Sequence, residues 1–320
     1  MKILCPNCSE HSAFTPDLVV CKHCGGKFRD ASGIFDFVNA PDRAEEKSFY
    51  DHVYAQATKE NYAKRTVDSV LPLWDLPESP ENRIVLEQIG DLSGKTVLLL
   101  GNGESVKELL FLKMGPTHLV YSDLSTHALI NILERFDLDQ YQNQLTFAAV
   151  DAHYIPFANE TFDVIYGFEM VHHLPDLDRF FVSAMTALKP GGHTIFMDDA
   201  FAPIWHYSKQ TWLKPLMKMS HQKTGISPED YRFSMKGGFK EDDLAGRIRL
   251  AGGEPWFIRA SFVTYLFYRG AEKLLPHRVN RVLRSRKVSR AVNYVDKWLC
   301  KIPLLRKNQI RLIWGFTKLP

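Results

Sequence analysis

The chain lacks any apolar run near the ~20 residues that a bilayer-spanning helix needs, and Met1-Lys2-Ile3-Leu4 meets Cys5 too soon for a signal-peptide core. The expected compartment is therefore the cytoplasm. Cysteine is scarce, with five in 320 residues and four of them before residue 25. Net charge is also small, +3 at neutral pH. Hydrophobic residues make up 45% and charged residues 24% of the chain, a balance too rich in core formers for disorder.

The small net charge hides an imbalance. Residues 269–320 hold fourteen Lys/Arg against only Glu272 and Asp296, a local charge of +12, which leaves the first 268 residues at −9. Such asymmetry points to an anionic partner, either nucleic acid or a membrane surface. The length suggests about two domains.

The cysteines mark the start of the fold. Cys5-Pro-Asn-Cys8 and Cys21-Lys-His-Cys24 are separated by twelve residues, and each C-x-x-C knuckle presents two thiolates to one ion. Two knuckles complete a tetrahedral Cys₄ zinc site with no open coordination position, so the expected role of Zn²⁺ is structural. The competing reading, two disulfides, needs an oxidising compartment. Residues 13–20 read as a hairpin joining the knuckles, and Gly33-Ile-Phe-Asp-Phe-Val38 closes the module. The pattern is similar to zinc-ribbon modules found at the N-terminus of some bacterial methyltransferases. Cys300 stands apart and reads as an ordinary thiol.

A charged, aromatic, helical stretch from Pro41 to about Asn61 follows, then a proline-rich linker at Leu71–Pro80 and a helix over Asn82–Ile89. Strands and helices then alternate. Thr96–Leu100 is continuously apolar, as in a strand covered on both faces. Gly101-Asn102-Gly103 turns into a helix over Val106–Met114. Further strands are expected at Thr117–Ser122, Leu145–Val150, Phe162–Tyr166 and His193–Met197, with helices starting at Ser125 and Leu177. Five such repeats predict a doubly wound α/β sheet, in which ligands bind at the carboxyl ends of the strands. There the glycine turn allows close backbone approach, and Asp123, 22 residues beyond Gly101, is placed to accept from ribose hydroxyls.

The ordered set Val-Leu-Leu-Leu-Gly-Asn-Gly, Val-Tyr-Ser-Asp-Leu-Ser, Asp151-Ala-His-Tyr-Ile-Pro-Phe157, Phe162-Asp-Val-Ile, His172-His173-Leu-Pro and Leu188-Lys-Pro-Gly-Gly192 resembles class I S-adenosylmethionine-dependent methyltransferases, in particular the branch that includes ubiquinone/menaquinone C-methyltransferases. The resemblance covers about residues 94–200 and implies a seven-stranded Rossmann-like sheet. It implies that Gly101, Asn102 and Gly103 face the methionine part of the cofactor, that Asp123 binds its ribose and that Leu124 packs on the adenine. Asp151 and Ala152 would lie at the adenine amino group, with Phe168 in the same shell. The chain departs from the family pattern in having Leu99 where an acid is usual and Ser105 where a third glycine is usual, and Glu104 is the nearest acid to replace the missing one.

Candidate catalytic groups are His172, His173 and Asp198, with Glu169 and Asp199 beside them; a histidine near neutral pKa takes a proton from a hydroxyl or amine acceptor. The bland alternative is that the histidines begin the next helix and pack beneath the cofactor. Tyr50 and Tyr54 are placed to close over the site, as N-terminal helices of this family do. No Asp/Asn-Pro-Pro-Tyr follows the fourth strand, which argues against DNA amino-methylation.

The reading divides the chain into a 1–38 zinc ribbon, a 39–92 helical connector and lid, and a 93–320 methyltransferase domain. The last carries an aromatic lid insert at 201–240, containing Trp205, Trp212, Met217 and Met219, and a basic helical insert at 270–308 between a sixth strand (Pro255–Tyr268) and an antiparallel seventh (Ile310–Lys318). The expected acceptor is a small or lipid- or sugar-linked, anionic molecule. Ribosomal or transfer RNA is the alternative, and a non-catalytic zinc-containing binding protein is the third reading. The arm would meet an anionic membrane surface or RNA phosphates, or form a solvated helix face.

Overall fold

In the computed structural model, Thr96–Leu100 (β4) lies in the middle of an eight-stranded sheet. The structure describes residues 2–5, 8, 10–13, 20–28, 33–38, 43–56, 64–76, 79, 81–210, 238–261, 279, 282–283, 285–299 and 301–320. The continuous apolar run of β4 has a simple cause. Leu98 and Leu100 enter one buried cluster and Val97 and Leu99 the other, so both faces of the strand are covered.

On either side lie His118–Asp123 (β5), Leu145–Ala149 (β6), Phe162–Phe168 (β7) and Leu188–Asp199 (β8), all parallel. Arg311–Lys318 (β10) runs antiparallel between β8 and Gly253–Ala260 (β9). Gly315 is required there: a Cβ would sit 1.9 Å from the Thr194 carbonyl oxygen.

The expected seven strands are eight. Phe35–Asp36 (β3), from the cysteine-bearing segment, pairs in parallel with Ala148 and Ala149 and covers the open edge of β6. The reason is apolar. Phe35, Phe37 and Phe28 are buried with Phe157 in the cluster that also holds Leu98 and Phe196. Ile3, Cys5 and Cys21 belong to that cluster too, and Leu4 N–H donates to the Pro156 carbonyl at 3.0 Å. Lys2–Leu4 (β1) pairs with His11–Ala13 (β2), so the hairpin observed spans the first knuckle; residues 14–19, where the inter-knuckle hairpin was expected, lie outside the described residues.

Of the helices, Ala44–Ala55 (α1) precedes the short Leu71–Trp74 (α2), which occupies part of the expected linker, and Glu81–Ile89 (α3). Thr126–Arg135 (α4) is capped by Ser125, whose Oγ accepts from Ala128 N–H at 3.3 Å. Leu177–Ala187 (α5), Pro203–Gln210 (α6) and Glu241–Leu250 (α7) follow, then Arg286–Leu299 (α8) and Pro303–Arg306 (α9). The expected helix after the glycine turn is Lys107–Met114, and it is of the 3₁₀ type. Trp212, Met217 and Met219 of the expected lid, the outer half of the expected sixth strand, residues 262–278 and Cys300 lie outside the described residues.

Candidate active site

The carboxyl ends of β4, β5, β6 and β7 open into one cavity of about 260 Å³. Gly101, Asn102, Gly103, Asp123, Leu124, Asp151, Ala152 and Phe168 all line it, and so does His173. Gly101 (φ 59°) and Gly103 (φ 53°) adopt left-handed backbone that lets the chain turn back under the ligand space. The turn is held from below: Tyr121 OH donates to the Ser105 carbonyl, and Gly103 N–H donates to Asp123 Oδ2 at 2.7 Å.

Asp123 also accepts from Ser125 N–H at 2.8 Å through Oδ1. Burial pushes its pKa up to about 6 against these two N–H donors. Asp151 behaves oppositely. Burial would raise its pKa, but hydrogen bonds from the His153 ring (2.7 Å) and backbone (3.0 Å), with Arg43 at 3.7 Å, bring it below the usual carboxylate range. Asn102 is 5% exposed, and neither its Nδ2 nor its Oδ1 has a partner among the described residues. A buried amide with both ends open calls for a polar partner, either water or a ligand.

Helix α1 forms the roof. Lys47 Nζ donates to Thr126 Oγ1 at 2.8 Å, Asp51 accepts from Ser125 Oγ at 2.6 Å, and Asn131 Nδ2 donates to the Tyr54 carbonyl at 2.9 Å. This bolts α1 to the start of α4 and brings Arg43, Glu46, Tyr50 and Tyr54 onto the cavity. The roles of Arg43 and Glu46, 2.6 Å apart and almost buried, were not visible in the sequence, where they read as an ordinary charged helix start.

Leu99, at the position where an acid is usual, is fully buried in the core. Glu104 lines the cavity, but its oxygens are engaged by Asn131 and by Arg135 at 3.1 Å, so it does not simply replace the missing acid. A buried acid, Glu108, sits under the loop instead and accepts from Ser105 Oγ at 2.6 Å and Tyr166 OH at 3.1 Å.

The candidate catalytic residues divide into two pairs. His173 Nδ1 lies 3.2 Å from Tyr50 OH on the cavity wall. His172 stands behind it, ring centroids 4.1 Å apart, with Nδ1 2.9 Å from Oδ1 of the fully buried Asp198. Trp314 Nε1 donates to the other Asp198 oxygen at 3.2 Å. Burial lowers the His172 pKa, but the Asp198 hydrogen bond and charge outweigh it and the net shift is upward. Both histidines lie in a 3₁₀ turn, Val171–His173. Glu169, at φ 50°, also lines the cavity, and Arg311 bridges it at 2.5 Å to Asp199 at 2.9 Å.

The four N-terminal cysteines converge. Cys5 and Cys24 sulfurs are 3.6 Å apart, Cys8 and Cys21 3.8 Å, and all four fall within 4.8 Å of one another. Disulfide sulfurs would be ~2.05 Å apart, whereas sulfurs sharing a tetrahedral ion at ~2.3 Å stand about 3.8 Å apart. The Cys24 and His23 amides aimed at Cys21 bring its thiol down to about 6.

A family described as a methyltransferase domain matches residues 98–196, from β4 to β8. Phosphoethanolamine N-methyltransferase 2 of Caenorhabditis elegans is 28% identical over 116 residues, 36% of this chain and 26% of that protein. The probable phthiotriol/phenolphthiotriol dimycocerosates methyltransferase 2 of Mycobacterium ulcerans is 27% identical over 188 residues, 58% of this chain and 69% of that one. The chain thus spans about a quarter of the nematode protein and a larger share of the mycobacterial one. The geranyl diphosphate C-methyltransferase of Streptomyces coelicolor A3(2), solved with Mg²⁺, geranyl diphosphate and S-adenosyl-L-homocysteine, shares the fold with a TM-score of 0.55 at 10% identity, over 88% of this chain and 99% of that chain. Together with the strand order, these findings support a class I, S-adenosylmethionine-dependent type of methyltransferase core.

Proposed function

We propose that the protein transfers a methyl group from S-adenosylmethionine to a small or lipid- or sugar-linked acceptor. The observation that carries this reading is the convergence of the Gly101–Gly103 turn, Asp123 and Asp151 on one cavity at the carboxyl ends of adjacent strands. The donor set suits a cationic, polar cofactor. Among the described residues Glu46, Glu104, Asp123, Asp151, Glu169 and Arg43 line the cavity, with Glu104 and Glu169 paired to Arg135 and Arg311 and the Asn102 amide open at both ends.

Bound there, S-adenosylmethionine supplies an activated methyl group on a sulfonium centre. Asp123 holds the ribose hydroxyls while the glycine turn gives the methionine portion close backbone contact. Asp151, fixed by His153 and Arg43, accepts from the adenine amino group beside Ala152 and Leu124. Tyr50 and Tyr54 exclude water from above, and orientation of this kind supplies much of the rate. His173, on the cavity wall beside Tyr50 OH, takes a proton from a hydroxyl or amine acceptor, and His172, pinned behind it to Asp198, positions its ring.

We infer that the cysteine cluster holds a structural Zn²⁺ in a ribbon-like module. The sulfur spacing and the closed set of four support this, and they leave no position for chemistry at the metal. The lipid-like substrates named for the mycobacterial relatives, and the ubiquinone/menaquinone-like motif style, favour a lipid-linked acceptor over RNA.

The test is calorimetry of the full, zinc-loaded chain with S-adenosylmethionine and S-adenosylhomocysteine. Saturable binding that Asp123→Ala abolishes supports the reading. No binding to either ligand overturns it and leaves a binding protein on a methyltransferase-like core. Mass spectrometry of extracts from cells with and without the gene then identifies the product by its added methyl mass.

A further inference from the structure

We propose that helix α8 is a membrane-docking element that lies in the headgroup layer of an anionic bilayer. The proposal rests on which way the helix is turned. At 100° per residue, Ala291, Tyr294, Val295 and Trp298 form one stripe at the i, i+3, i+4, i+7 spacing of an amphipathic helix. In a helix packed on a core that stripe faces inward. Here it faces out: Tyr294 is 73% exposed, Trp298 58% and Val295 45%, while Ser289 and Asp296, on the opposite face, are buried. The same outward apolar character continues at Val282 (65%), Ile302 (40%) and Leu304 (65%).

Charge decides the occupant. Lys287, Arg290, Lys297 and Lys301 are all exposed, and Arg290, Lys297 and Lys301 flank one side of the stripe. No acid lies on the exposed side of α8, whose single carboxylate is the inward Asp296. Apolar residues including a Trp and a Tyr, bordered by Lys and Arg, match a surface with hydrocarbon below and phosphate above. RNA phosphates would complement the Lys and Arg side chains but leave the exposed aliphatic side chains Val282, Val295, Ile302 and Leu304 unmatched. A second copy paired through the same arm would bring like charge to like charge.

The arm is also set where a lipid-borne acceptor would be delivered. It leaves the sheet after Ala260 and returns at Arg311, and these two residues are paired in register. Arg311 is itself tied to Glu169 on the cavity wall. The base of the arm is therefore one side chain from the candidate site.

The experiment is flotation of the full, zinc-loaded chain with phosphatidylcholine vesicles made with and without phosphatidylglycerol, without cofactor, so that its result is independent of methyl transfer. The expected result is co-flotation with the anionic vesicles only, a blue shift in tryptophan emission that Trp298→Phe removes, and loss of at least about tenfold in partitioning in Tyr294→Glu/Trp298→Glu. Both positions are exposed, so the double variant keeps its thermal transition and cofactor binding. Lys287→Gln/Arg290→Gln/Lys297→Gln should weaken the response to phosphatidylglycerol. Absence of co-flotation, binding unaffected by the Glu pair, tighter salt-sensitive binding to total RNA, or a dimer that the Glu pair dissociates would each overturn the proposal.

Discussion

His172 Nδ1 lies 2.9 Å from Asp198 Oδ1, and the carboxylate is fully buried beneath Trp314. A buried acid fixing one ring nitrogen sets the tautomer and leaves the other nitrogen as the one that can accept a proton. Asp198→Asn removes the charge that raises the His172 pKa and leaves the burial that lowers it. In an NMR titration, His172 of the wild type should therefore titrate above its ordinary range, and in the variant lower than in the wild type. The sign carries into stability. A histidine raised in the folded state contributes stability below the unfolded pKa and loses it as pH rises through the folded value, so the variant's deficit is widest in acid and narrows toward alkaline pH. A His172 resonance that does not move between the two proteins would remove Asp198 from this role.

Asp123 carries the opposite trade. Its pKa, raised from 3.8 to about 6 by burial, means the ion-pair-free carboxylate is strained when ionised. The raised value stabilises the folded state below ~3.8, and that contribution of about 3 kcal/mol is lost as pH rises through about 6. In the proposed complex only the ionised form would accept from both ribose hydroxyls. Affinity for S-adenosylhomocysteine should thus fall about tenfold per pH unit below about 6, with Asp123→Ala weak and flat across the same range. Calorimetry in a pH series reads both curves.

The placing of these candidate residues around one cavity could be read from the chain because each follows a strand whose apolar run is local. The end of Thr96–Leu100 points to Gly101, and the ends of the next two strands to Asp123 and Asp151. What stayed hidden depends on contacts between distant segments. The eighth strand, Phe35–Asp36, is two residues long and pairs because Phe35 and Phe37 find Phe157, more than a hundred residues away. Arg43 looked like one more charge at a helix start; its value comes from Asp151. The arm's periodicity was plain, but periodicity does not say which face is turned to the core, and Ser289 and Asp296 occupy that side.

The cysteine cluster shares a core with the sheet, through Cys5, Cys21, Ile3 and Phe28. Stripping the metal should therefore lower the thermal stability of the whole α/β domain, not merely unfold a tail. Cys8→Ser, or chelation of the wild type, is expected to release one zinc per chain, lower the Tm by several degrees and expose the β6 edge to hydrogen exchange at Ala148 and Ala149, the partners of Phe35 and Asp36. Atomic absorption counts the metal, and exchange mass spectrometry reads the strand. Loss of zinc with an unchanged exchange pattern at β6 would uncouple the module from the sheet.

The roof and the glycine turn meet at one atom. A Cβ on Gly103 would stand 2.5 Å from Tyr54 OH but 3.4 Å from the ring carbon that carries it, and the backbone there is left-handed at φ 53°. Gly103→Ala should then impose two separable penalties. The backbone term, about 1 kcal/mol for placing Ala in that region, is independent of Tyr54. The clash term pushes the hydroxyl, and with it α1, away from the cavity. Replacing Tyr54 by Phe deletes the clashing oxygen and leaves ordinary contact distance. Gly103→Ala alone should weaken S-adenosylhomocysteine binding by more than about tenfold, whereas in the Tyr54→Phe background the same substitution should lose only about fivefold, the backbone share. Equal losses in both backgrounds would mean that α1 does not close over the turn.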